Sequence, residues 1–296
     1  MNDKNLSIYK GNALVLQRAK KLVNMTEDII RNNELICDEW VERLKQWADE
    51  NRIPECSFPR TKDELLELFW LDLFVGEVQG YTSKPLMLYP VFRVVNTIPR
   101  EFGHLLALEH LTLINVVKPL PQELWKLPNL QNLWLCDYCF DTSHDLTQLQ
   151  KLEVLTLSYG HIKSFPALPS NIKSLWLINN NIMEFPQSIL ELKELRGLCI
   201  IGNLINFIPK KIECLRNLES FDIRYNPIEK IPDEIFRLPN LKHLIIDESQ
   251  KNFIPKDIIE TAEVEVYSTY LIYKTNIYKN SLLDCLKIEI EKSKNN

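Results

Sequence analysis

Three successive segments, LWLINNNIMEFPQSILELKEL, LCIIGNLINFIPKKIECLRNL and FDIRYNPIEKIPDEIFRLPNL, follow one template, L-x-L-x-x-N-x-I-x-x-(I/F)-P-x-x-I-x-x-L-x-x-L. Anchored on the first residue of each L-x-L, the pattern runs through Leu111, Leu133, Leu155, Leu175, Leu198, Phe221 and Leu244. The gaps are 22, 22, 20, 23, 23 and 23 residues. A fixed period of this length marks a chain of stacked, equivalent units rather than a single closed core. One unit cannot bury its own apolar face, so several must share a continuous one.

The template dictates the local structure. The L-x-L alternation predicts a short strand with its leucines on one side. The later I-x-x-L-x-x-L spacing predicts a short helical or 3-10 segment covering the opposite side. Asn180, Asn203 and Asn226 recur five residues after the anchor, where an amide can satisfy backbone groups of the turn. The earlier units carry Val116, Tyr138 and Gly160 there, so their turns need another solution.

These residues resemble the leucine-rich repeat family. The 23-residue units with Pro186, Pro209, Pro232 and Pro255 are similar to its Ras-group-related and bacterial intracellular type. One short unit, SFPALPSNIKSLWLINN, resembles the 20-residue repeat of secreted bacterial effectors, and its two prolines predict an extended back rather than a helix. The resemblance implies an α/β fold, a curved horseshoe solenoid with a parallel concave sheet, over about residues 58–266. For function it implies a protein-binding scaffold and no particular partner.

Residues 1–57 are expected to form an N-terminal helical cap and 267–296 a short C-terminal cap or tail. Helices are predicted over 12–32 and 38–51, the second with Trp40, Leu44, Trp47 and Ala48 on one face, Asp38 as N-cap and Pro54 as its stop. VEVYSTYLIYKTNIY predicts a last strand, and a weaker amphipathic helix runs through Leu282, Leu286 and Ile290. FPRTKDELLELFWLDL fits the template with Leu71-Asp72-Leu73 as a strand, but the next proline of the pattern follows 40 residues later. Residues 74–97 are then either an insertion or a degenerate repeat with a strand near Leu86 to Tyr89.

The residue between the two leucines of each strand is expected to face solvent on the concave side. That column reads Thr112, Trp134, Thr156, Trp176, Cys199, Asp222, Ile245. The next reads Ile114, Cys136, Ser158, Ile178, Ile201, Arg224, Asp247, and one residue further stand Asn115, Asp137, Tyr159, Asn179, Gly202, Tyr225 and Glu248. With strands about 4.8 Å apart, Trp134 and Trp176 would flank Thr156 at about 10 Å from each other. Large apolar groups on an exposed face are the usual anchors of protein interfaces. The candidate partner-binding residues are Trp134, Trp176, Tyr159, Ile178, Ile201, Asp222, Arg224 and Tyr225. The same side chains can instead support the sheet by cross-strand packing.

Other chemistry finds little footing. With 35 Lys and Arg against 40 Asp and Glu the formal charge is −5, which argues against nucleic acid as a partner. The sequence carries no long apolar run, so no membrane partner is expected, and no secretory leader pattern, so a cytoplasmic location is the default. Translocation into a host cell is the alternative that the effector-like unit favours. Seven scattered cysteines read as reduced thiols. No phosphate loop, dinucleotide fingerprint, nucleophile elbow or zinc-protease motif occurs. His110 and His243 stand six strands apart, about 30 Å, too far to share a site. Cys136 and Cys139, with His161 in the equivalent place of the next unit, form a weak metal or redox candidate. The expectation is therefore a non-enzymatic scaffold with no metal or cofactor, binding a protein through an aromatic face as an adaptor or a translocated effector. Its rivals are a structural repeat protein without a ligand and, remotely, the cysteine-pair chemistry. The pattern sets no oligomeric state.

Overall fold

The computed structural model describes residues 39–75, 94–95, 97–114, 119–138, 145–162, 165, 167–254 and 265–269. The chain divides into two compact units, Met1–Gly160 with Pro166–Asn171, and His161–Phe165 with Ile172–Asn296.

In the first unit the strands are β1 (Trp70–Val75), β2 (Val94–Val95), β3 (His110–Ile114), β4 (Asn132–Cys136) and β5 (Val154–Ser158). They pair in parallel in the order β2-β1-β3-β4-β5, with Leu71, Leu111, Leu133 and Leu155 in register. In the second unit β6 (Ser174–Ile178), β7 (Gly197–Cys199), β8 (Ser220–Asp222), β9 (His243–Asp247) and β10 (Glu265–Thr269) do the same, with Leu175, Leu198, Phe221, Leu244 and Val266 in register. Both leucines of each L-x-L are buried, as the alternation requires. β1 and β3 are hydrogen-bonded neighbours, so no strand lies between them. Within the long spacing from Leu71 to Leu111, β2 pairs with the other edge of β1, and the stretch from Leu86 to Tyr89 lies outside the described residues.

In five repeats the return side is a single proline-capped 3-10 segment. Pro99, Pro121, Pro186, Pro209 and Pro232 stand at the N-caps of Arg100–His104, Gln122–Lys126, Gln187–Glu191, Lys210–Cys214 and Asp233–Arg237. The ring fixes φ and lacks a donor the turn would not use. Each proline carbonyl accepts the N–H three residues on, from Phe102, Leu124, Ile189, Ile212 and Ile235. Those five side chains are buried, which ties each turn to the core. No helix occurs among the described residues of the proline-rich short unit between β5 and β6, in line with its sequence.

A helix at 39–50 buries Trp40, Leu44, Trp47 and Ala48. Trp47 packs edge-on against Phe102 at 5.1 Å and Phe58 at 5.3 Å, and its Nε1 donates to the Thr97 carbonyl at 2.7 Å. The helix stops before Pro54. Arg52 takes φ 53°, while its N–H bonds Asp49 O and that of Ile53 bonds Ala48 O, the paired bonds of a Schellman end. The helices expected at 12–32 and through Leu282 to Ile290, and the Asp38 cap, lie outside the described residues.

The asparagines stitch units together. Asn203 Nδ2 donates to Leu177 O at 2.7 Å and Ile200 O at 2.8 Å, and its Oδ1 accepts from Ile182 N at 3.3 Å. Asn226 repeats this on Ile200 O, Ile223 O and Ile205 N. Gln250 takes over one step later, with Nε2 donating to Asn226 O at 3.2 Å. Where the first unit lacks the amide, the buried Tyr138 hydroxyl accepts from Leu120 N at 3.4 Å.

The residue before this position adopts left-handed backbone in five repeats: Asp137, Tyr159, Asn179, Gly202 and Tyr225 have φ between 51° and 68°. At Gly202 a Cβ would also fall 2.0 Å from Asn179 Oδ1. Gly202→Ala should cost about 1–2 kcal/mol, read from the urea midpoint, because alanine meets both the backbone penalty and the clash. An unchanged midpoint would rule out this turn geometry.

Candidate interaction surface

In the first unit the registers place Trp70, His110, Asn132 and Val154 in one row, and Asp72, Thr112, Trp134 and Thr156 in the next. Trp134 is half-buried beside Thr156, and its Nε1 donates to the buried Ser158 Oγ at 3.2 Å. Tyr159 is half-buried in the left-handed turn after β5. Trp70 is 52% exposed. Its indole stacks on the His110 ring at 4.3 Å, and its Nε1 donates to Asp72 Oδ2 at 2.8 Å. Burial pulls the His110 imidazole below its usual value, against the pull of Glu109 and Asp72, which favours the neutral ring at pH 7. Trp70 and Asp72 were missed as face residues. Aligning Leu71 with Leu111 across the long gap, and extending the columns back one strand, would have found them.

In the second unit Trp176, Cys199, Asp222 and Ile245 form one row. Three candidate residues expected to face solvent do not. Ile178 and Ile201 are 1% and 2% exposed, and with Cys199 they form a buried cluster covered by Trp176 and Tyr225. Asp222 is also buried. The cause is side-chain size: on strands about 4.8 Å apart, an indole and a phenol spread over smaller neighbours. Trp176, Arg224 and Tyr225 stay half-buried. Trp134 and Trp176 belong to different units, so each is placed by its own neighbours.

Arg224 grips Asp222 with Nε 3.0 Å from Oδ1 and Nη2 2.7 Å from Oδ2. Burial still raises the Asp222 carboxyl above its usual range despite that pairing. Asp247 Oδ2 accepts from Tyr225 N at 2.7 Å, and burial raises this carboxyl too. Asp222, Arg224 and Asp247 are thus largely engaged within the protein.

Parallel strands in leucine register, proline-capped 3-10 returns in five repeats, and buried asparagines bonding one turn to the next decide the architecture. The fold is a leucine-rich repeat. No family model matches the sequence, and no curated protein matches it. Among solved structures, internalin C2 of Listeria monocytogenes is 22% identical, with 56% of this chain and 74% of that chain covered and a TM-score of 0.47. An internalin F of the same species is 15% identical, over 60% of this chain and 58% of that one, with a TM-score of 0.46. A leucine-rich repeat protein of Leptospira interrogans is 23% identical, over 73% and 65%, with a TM-score of 0.40.

The repeat leaves little reactive chemistry on the described surface. Cys136 is buried, and burial pushes its thiol up to about 12, opposite to what a nucleophilic or metal-binding thiolate needs. Cys139 lies outside the described residues. His161 Nδ1 is 3.2 Å from Asn181 Oδ1. Among the described residues no three His, Cys, Asp or Glu side chains converge as a metal site, and no helix is long and apolar enough to cross a membrane. In the folded protein at pH 8, iodoacetamide should label the exposed Cys56 and Cys214 and spare the buried Cys136 and Cys199, read by peptide mass spectrometry. Rapid labelling of Cys136 would contradict the burial that holds it protonated.

Proposed function

We propose that this leucine-rich repeat chain is a recognition scaffold that binds a protein through its strand faces, without enzymatic activity of its own. The observation that carries this is a set of half-buried aromatic side chains on strand or turn positions: Trp134 and Tyr159 in the first unit, Trp176 and Tyr225 in the second. Each of these residues is partly buried and partly open to solvent. Pre-held aromatic rings lose little entropy on binding and dominate interface energetics. Ile178, Ile201 and Asp222 serve as the platform beneath the contact residues, and Arg224 offers the remaining polar contact.

The test is affinity capture from lysate with the native chain and a Trp134→Ala/Trp176→Ala variant whose circular dichroism matches the native chain. A specific partner held by the native chain and weakened at least about tenfold in the variant supports the reading. Retention of every captured partner at equal affinity by the folded variant removes it.

One observation favours the structural alternative for the second unit: Trp176 and Tyr225 already cover Ile178, Cys199 and Ile201. That alternative predicts that Trp176→Ala lowers stability and leaves binding untouched. The adaptor and effector versions share this surface and differ in location. The effector-like short unit favours translocation, and a fused-reporter secretion assay separates the two.

A further inference from the structure

Among the described residues of the first unit, the most open apolar side chains lie at the lip of its sheet. Phe69 and Trp70 are 59% and 52% exposed, and Leu66 and Leu106 are exposed too. The register makes them neighbours. Phe69 O accepts from Glu109 N and His110 N at 2.9 Å, and Trp70 pairs with His110. Leu66 and Leu106 hold equivalent places in adjoining repeats: Leu68 N bonds Leu65 O just as Leu108 N bonds Leu105 O. Leu66 and Phe69 lie in the segment leading into β1 and Leu106 in the one leading into β3, while Trp70 opens β1 with its indole stacked on His110.

Acidic groups stand beside Trp70, while Lys151 lies on the Leu106 side, where Asn129 donates to Leu106 O at 2.8 Å and accepts from Lys151 Nζ at 2.6 Å. Asp72 and Glu109 both act on His110, and Glu67 follows Leu66 at the lip. Glu109 makes no ion pair among the described residues, unlike Glu219 in the equivalent place of the second unit, which Lys242 meets at 2.8 Å and Arg196 at 3.6 Å. None of the β1, β3, β4 and β5 residues is Lys or Arg. The favoured neutral form of His110 adds no positive charge.

We propose that the lip formed by Leu66, Phe69, Trp70 and Leu106, with Asp72 and Glu109, docks a protein segment that presents an apolar side chain beside a lysine or arginine. The apolar side chain covers Trp70 and Phe69, and the cation meets the unpaired Glu109. Complementary charge sets register and speeds encounter, while burial of the aromatic rings supplies most of the affinity. The inference rests on the recognition reading above and names the chemistry of the partner at a place distinct from Trp134 and Trp176.

The experiment is selection of a random displayed peptide library on the full chain, followed by titration of enriched peptides against variants. Enriched sequences should pair an aromatic or large aliphatic residue with Lys or Arg. Trp70→Ala should weaken them at least about tenfold. Glu109→Lys, which leaves the apolar patch in place, should weaken them as well, and exchanging the peptide's basic residue for Glu should restore part of the loss. Binding should fall as salt rises. Because Trp70 is exposed, the variant is expected to fold, and circular dichroism checks this. Enrichment without basic residues, failure to enrich any sequence, or unchanged binding in folded Trp70→Ala overturns the inference. Peptides lost in Trp134→Ala or Trp176→Ala but kept in Trp70→Ala would overturn it while supporting the recognition reading.

Discussion

Replacing Asn203 with alanine should destabilise the protein by about 3 kcal/mol, because buried groups lose partners that no water replaces. The amide donates to Leu177 O, Ile200 O and Ile201 O and accepts from Ile182 N. The side chain is 3% exposed. An ordinary hydrogen bond contributes about 1 kcal/mol, but a buried group left without any partner costs about 1–3 kcal/mol. The Ile182 N–H and the Leu177 carbonyl belong to the preceding repeat, so the loss reaches across the stack. Urea denaturation at constant slope measures it, and a loss below about 1 kcal/mol would show that the ladder does not carry the turn. Ile200 O accepts from both Asn203 and Asn226. The double alanine variant should therefore depart from additivity, which a double-mutant cycle reads directly.

The ladder also shows which parts of the architecture were legible in the sequence. Strand phase followed from leucine alternation, because a one-residue slip would expose every leucine. The 3-10 returns followed from proline and the three-residue apolar spacing. The role of Asn203 and Asn226 followed from amide chemistry at a fixed turn position, and Tyr138 shows that another polar group can substitute there. Cover was not legible. The columns gave the direction in which Ile178, Ile201 and Asp222 point, but not that Trp176 and Tyr225 would lie over the first two or that Arg224 would fold back on the third. Facing is a property of backbone period, whereas burial depends on the size and reach of neighbours. Trp70 was missed for a different reason: about 40 residues separate β1 from β3 in sequence while the two strands are adjacent in the sheet, so the most exposed tryptophan stood outside the counted columns.

The second large effect is expected at Arg224. Arg224→Ala should cost about 3 kcal/mol near pH 7, because it strands the buried Asp222 carboxylate without its counter-ion. The cost should depend on pH, and its sign follows from the carboxyl. Burial already raises Asp222 above its unfolded value in the native protein, and Arg224 is the main force opposing that rise. Without the guanidinium, desolvation and the nearby Asp247 push the carboxyl higher still. The folded variant then binds a proton more readily than the unfolded chain does. Stability gained by the protonated form is full below the unfolded value near 3.8 and is lost as pH rises through the raised folded value. The gap between native protein and variant should thus be widest at neutral pH and shrink on acidification. Urea midpoints of both proteins at pH 7.5 and pH 5 measure it. Arg224→Ala/Asp222→Asn removes the charge itself and should recover most of the loss at pH 7.5. A gap that stays constant with pH, or a double variant no more stable than Arg224→Ala, would show that the arginine acts through packing of its stem over the sheet rather than through the Asp222 charge.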